Sequence, residues 1–164
     1  MLRKHENQWA KKTLEEKKEI YNFSNDYKLF LNSSKTEREF IKEATKIAEG
    51  NGFKSIENYE TLKIGDKVYY TNRGKNIILA VVGKDKIESG ANIIVSHADV
   101  PRLDLKGNPL YEDIELAMMK THYYGGIKKY QWVSIPLALH GVVILEDGTK
   151  VDIIIGEDEN DPVF

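Results

Sequence analysis

Ile93-Ile94-Val95-Ser96-His97-Ala98-Asp99-Val100-Pro101 is the stretch on which the reading of this 164-residue chain turns. Its unbroken β-branched run, preceded by Gly90, predicts a strand over residues 92–97 that is covered on both faces, since a strand with one wet face alternates apolar and polar side chains. The apolar run gives out at His97, and in open α/β sheets ligand sites collect beyond the carboxyl ends of strands. Side chains two apart on a strand point the same way, about 6 to 7 Å apart, so His97 and Asp99 can address one cavity. The imidazole then suits a metal ion and the carboxylate suits the role of its orienting partner. Alone, His-x-Asp is equally a strand-terminal histidine followed by a loop-starting aspartate.

Upstream, residues 67–73 and 76–82 predict two further strands separated by Gly74, the second apolar throughout from Ile77 to Val82. Before them the period changes. Ile20, Phe23, Tyr27, Phe30 and Leu31 recur at helical spacing within the polar segment 6–31. Ser34 and Glu37 have the spacing of a capping box, which predicts a second helix over about 35–49. Its stripe is Phe40, Ile41, Ala44, Ile47 and Ala48, and Gly50-Asn51-Gly52 ends it. Helices flanking a central sheet are the expected arrangement, and the expected class is α/β.

Downstream of the motif the composition shifts, with Pro101, Gly107, Pro109, Gly125 and Gly126 in close succession, which puts a domain boundary near residue 100. Apolar runs at 133–139 and 142–145 resume the β pattern. Asp147-Gly148, lying between Ile144-Leu145 and the run 151–155, predicts a hairpin. The second segment is therefore expected to be mostly β, closing on an acidic solvated loop from Gly156 to Pro162.

Composition excludes several classes. With 41% apolar and 30% charged residues the chain is globular, and no apolar run approaches the roughly 20 residues of a membrane span. Residues 1–55 hold 12 basic and 9 acidic side chains, the remainder 12 and 17; with both signs interleaved and a net charge of −2, nucleic acid is not the expected partner. Without cysteine there is no disulfide, thiolate metal site or thiol nucleophile, so any metal falls to His, Asp or Glu. The opening residues Met1 to Asn7 carry no apolar leader, which makes the cytoplasm the expected location.

From Ser96 through Lys106, and on through Asn108-Pro109-Leu110-Tyr111-Glu112, the sequence resembles the aspartyl-aminopeptidase family of cocatalytic zinc metallopeptidases. Tyr124-Gly125-Gly126, Trp132 and Gly156-Glu157-Asp158 extend the likeness, which covers about residues 14–164. The resemblance implies residues 1–100 as the N-terminal part of a three-layer α/β/α peptidase domain, and 101–164 as the first part of an inserted, β-rich dimerisation domain. It implies His97 as a zinc ligand and Asp99 as the catalytic carboxylate that orients or polarises the metal site. Two zinc ions, peptide substrates with a free N-terminus, acidic ones among them, and a homo-oligomer are implied by it too. The family's remaining ligands and its Glu-Glu pair have no counterpart here: the one Glu-Glu, Glu15-Glu16, belongs to the Lys-rich first helix. A zinc site needs about three protein ligands and an open position. The expectation is accordingly an aminopeptidase portion that is inactive alone, with a noncatalytic assembly or peptide-binding module as the alternative. The residues that bind substrate are unknown at this level.

Other residues carry less. His122, expected in a loop, and His140, expected in a strand, read as structural. Ser96 or Ser134 with His97 and Asp99 makes no hydrolase triad, because no Gly-x-Ser-x-Gly elbow exists and adjacent strand residues face opposite ways. Gly83-Lys84 and Gly90 do not form a phosphate loop. Arg102 and Lys106 are candidates for contacting an acidic substrate, or plain surface charges.

Overall fold

A computed structural model describes residues 6–164; residues 1–5, part of the segment read for a leader, lie outside the described residues. The chain divides into two compact units, Met1–Lys84 and Asp85–Phe164. The expected change near residue 100 falls inside the second of these.

In the first unit, helix α1 spans Leu14–Asn32 and α2 spans Glu37–Gly50. Thr13 caps α1 by accepting from the Glu16 amide, while Glu16 returns a bond to the Thr13 amide, so two otherwise orphaned donors are satisfied. The α1 stripe is not packed as expected: Ile20, Phe23, Tyr27 and Leu31 are exposed, and Phe30 at its end meets Phe40 of α2 edge-on at 5.1 Å. The α2 cap is also corrected. Thr36 and Glu39 close the box, two residues beyond the expected Ser34 and Glu37. Both pairs have the required spacing, but Thr36 has the extended backbone an N-cap needs, whereas Ser34 is buried at 2% exposure with its hydroxyl unpartnered.

Strands β1 (Lys54–Ser55), β2 (Lys67–Asn72) and β3 (Asn76–Val81) form one sheet, β1 parallel and β3 antiparallel to β2. The β2–β3 turn passes through Arg73 at φ 53° and Gly74 at φ 64°, and the Arg38 guanidinium donates to the Arg73 carbonyl at 3.1 Å. Helix α2 packs on β2 and β3, and the core is small: Ile41, Ala48 and Val68. The expected cover on both sheet faces is absent among the described residues, where Ile78, Leu79 and Val81 stay exposed.

The second unit is built of hairpins. Strand β4 (Arg102–Asp113) pairs antiparallel with β5 (Leu116–Tyr124), and β6 (Leu139–Ile144) with β7 (Lys150–Ile155) around the expected Asp147-Gly148 turn. The unit is mostly β, as expected, and the chain is mixed α/β. Three local expectations fail. Residues 92–97 form no strand, and Ile94 is 99% exposed, because a strand exists only where a neighbour supplies the other half of its ladder and no described strand does so. His122 lies in β5, not in a loop. The run from 133 becomes a strand only at Leu139. The β4–β5 hairpin was hidden by its Gly and Pro content: the register shifts between Leu105 and Leu110, and this bulge accommodates Gly107 and Pro109, which has no amide to donate.

Candidate metal-ligand site

His97 and Asp99 occupy an irregular segment leading into β4, and they meet directly. The His97 Nδ1 lies 2.8 Å from the Asp99 carbonyl oxygen and 3.1 Å from Asp99 Oδ1. Both oxygens are acceptors, so Nδ1 carries the proton and donates to them, and in the neutral ring the lone pair lies on Nε2. The His97 side chain is 82% exposed and that of Asp99 35%, so the imidazole edge faces outward.

Asp99 is anchored from the hairpin. The Tyr124 hydroxyl, at the end of β5, donates to Asp99 Oδ2 at 2.8 Å. That bond is the main reason the Asp99 carboxyl is held below its usual range; its own backbone amide lowers it further, desolvation opposes, and His97 adds a lesser lowering. Tyr124 is itself placed by Arg102, the residue opposite it in the β4–β5 register, whose guanidinium carbon sits 3.9 Å above the ring centroid. Arg102 Nε donates to Asp104 at 2.7 Å and Nη1 to the Val100 carbonyl at 3.5 Å. Arg102 is thus engaged within the hairpin, while Lys106 is exposed at the bulge.

The remaining candidates lie elsewhere. His122 stacks on Tyr123 and, with Leu103, Ile127, Trp132 and Val133, lines an open depression of about 340 Å³. His140 is nearly buried, with 11% of its side chain exposed, and Nε2 lies 2.9 Å from Glu157 Oε1. Glu16 is spent on the α1 cap and on Lys12, so Glu15-Glu16 is a helix face as expected. Ser96 is exposed on the irregular segment. Tyr124 is the residue that reading the sequence missed: its partner in the ladder is Arg102, 22 positions away, and only the pairing of β4 with β5 reveals it.

The Nδ1-protonated tautomer, with Nε2 outward, is the form in which a histidine held by a carboxylate ligates a metal. His97 therefore fits zinc as one donor. Among the described residues no group of three or more His, Cys, Asp and Glu side chains could hold a metal ion. Among the described residues, His97 with Asp99 beside it has the arrangement of a single donor and an orienting carboxylate, not of a closed metal site.

Residues 30–164 match the family model described as Aminopeptidase I zinc metalloprotease (M18). A probable M18 family aminopeptidase 1 of Clostridium acetobutylicum is 51% identical over 100% of this chain and 36% of its own length. The crystal structure of aminopeptidase I from Borrelia burgdorferi superposes with a TM-score of 0.92 at 52% identity, over 97% of this chain and 39% of that one. The M18 aminopeptidase structure from Thermotoga maritima gives 0.88 at 44% identity, over 99% and 35%. The chain thus spans about a third of the length of the curated relatives it matches.

Proposed function

Since this chain belongs to the Aminopeptidase I zinc metalloprotease (M18) family, we propose that it serves a zinc-dependent aminopeptidase that releases N-terminal residues, acidic ones among them, from peptides. The single observation that carries the reading is His97 locked at Nδ1 by Asp99 with Nε2 presented outward. Zinc, when bound, supplies Lewis-acid polarisation of a carbonyl and an activated water. In this chain His97 offers a ligand nitrogen, Asp99 fixes the imidazole plane and tautomer, and neither completes the chemistry. A centre of two ions takes its other donors and its general base from outside these 164 residues, and the chain alone is inactive.

Residues 1–100 are proposed as the front of the three-layer peptidase domain, with 101–164 opening the inserted dimerisation domain of a cytoplasmic homo-oligomer. The exposed apolar segment around Ile94 supports the first part, since a β-branched run with no ladder partner is suited to a sheet completed by further strands. A noncatalytic assembly or peptide-binding module is the second reading, favoured by the absence of a three-ligand group among the described residues.

The test is zinc content and hydrolysis of peptides with N-terminal Asp or Glu, measured on the assembled enzyme and on the chain alone. Expected are metal loss and no turnover for His97→Ala in the enzyme, and neither tight zinc nor turnover in the isolated chain. Full zinc and activity in His97→Ala would overturn the reading.

A further inference from the structure

Resting on that reading, we infer that Tyr124 is a positioning residue for the metal ligand, acting through Asp99 on His97. The segment that carries His97 and Asp99 has no ladder to hold it, so its geometry must come from side chains. Tyr124 provides the link from a regular element: its hydroxyl occupies Oδ2 of Asp99 at 2.8 Å and leaves Oδ1, with the Asp99 carbonyl, to receive Nδ1 of His97. A carboxylate gripped on one oxygen cannot rotate freely, and its other oxygen keeps its aim. The ring of Tyr124 is fixed by Arg102 on one face, and Arg102 by Asp104. Tyr124, Asp99 and His97 therefore form a connected line from the β4–β5 hairpin to the outward-facing Nε2. Tyr124 acts on His97 through the Asp99 carboxylate, which receives Nδ1 beside the Asp99 carbonyl, and so biases which histidine nitrogen is offered.

The test reads the tautomer of His97 by nitrogen NMR in the full 164-residue chain labelled at histidine, on the alkaline plateau where its nitrogen shifts no longer change with pH. Wild type should show His97 mainly protonated at Nδ1. Tyr124→Phe, which keeps the ring under Arg102, should move His97 toward Nε2 protonation while His140 in the separate β6–β7 hairpin stays unchanged and reports an intact unit. Asp99→Ala, which removes Oδ1 but keeps the backbone carbonyl, should produce the same partial shift, and adding Tyr124→Phe to it should change nothing more, because a residue that acts through the Asp99 carboxylate has no effect without it. An unaltered His97 tautomer in Tyr124→Phe, or a further shift in the double variant, overturns the inference. In the assembled enzyme, Tyr124→Phe should weaken zinc about 10-fold by equilibrium dialysis. Zinc retained in His97→Ala would instead overturn the metallopeptidase reading and leave the tautomer result standing.

Discussion

Arg102 and Tyr124 are cross-strand partners in β4 and β5, and the guanidinium carbon lies over the phenol ring, 3.9 Å from its centroid. Two elements thus join at the base of the hairpin: a side chain that also binds Asp104, and a ring whose hydroxyl reaches Asp99.

Arg102→Gln removes the cation from the ring and the charge from the Asp104 pair. The expected cost is about 1 to 2 kcal/mol, set by a partly desolvated cation–π contact. Hydrogen exchange at the β4–β5 ladder amides should speed up near Arg102 and Tyr124 while the β6–β7 amides hold their protection. Equal loosening of both hairpins would show that the contact is not local.

The β4–β5 turn places Ile114 at φ 51° and Glu115 at φ 61°, a left-handed pair that favours Asn-Gly. A β-branched residue there is strained. The replacement Ile114→Asn with Glu115→Gly should stabilise the hairpin by about 1 kcal/mol, read as a higher unfolding midpoint. A lower midpoint would mean that the Glu115 amide bond to the Glu112 carboxylate, 2.9 Å, depends on the native turn residues.

Thr36→Ala and Ser34→Ala separate the true cap from the apparent one. Thr36→Ala should cost about 1 kcal/mol of α2 stability. Ser34→Ala removes a buried hydroxyl that has no partner and should be neutral or stabilising. Denaturant midpoints decide it, and the reverse order would restore the Ser34 cap.

Tyr69 of β2 donates its hydroxyl proton to Glu49 of α2 at 2.7 Å, and this bond, ahead of desolvation and the nearby negative charge, raises the Tyr69 pKa above its ordinary value. A folded pKa raised above the unfolded one means stability that is fully present below the unfolded value of about 10 and lost as pH rises through the folded one. The stability gap between wild type and Tyr69→Phe should therefore be constant near neutrality and close at alkaline pH. A gap that does not change with pH would show that the hydroxyl bond to Glu49 does not set it.

Local code was read well where neighbouring residues settle the outcome. The strands around Gly74, the second helix and the Asp147-Gly148 hairpin each follow from periodicity and turn chemistry within a few positions. The α2 cap was misplaced by two residues because the Ser34–Glu37 and Thr36–Glu39 spacings are equivalent, and burial and backbone angle, which are tertiary, choose between them. The strand expected at 92–97 failed differently: its composition is right, but composition does not supply a partner.

For the site, the nearness of His97 and Asp99 was legible from their spacing, since residues two apart on one short segment stay within reach of each other. Tyr124 was not. Its approach to Asp99 depends on the β4–β5 register, and that register depends on a bulge between Leu105 and Leu110 that shifts every later pair. A hydrogen bond between residues 25 apart is made by the ladder that brings them together, and a ladder is a property of two strands in space, not of either strand's sequence.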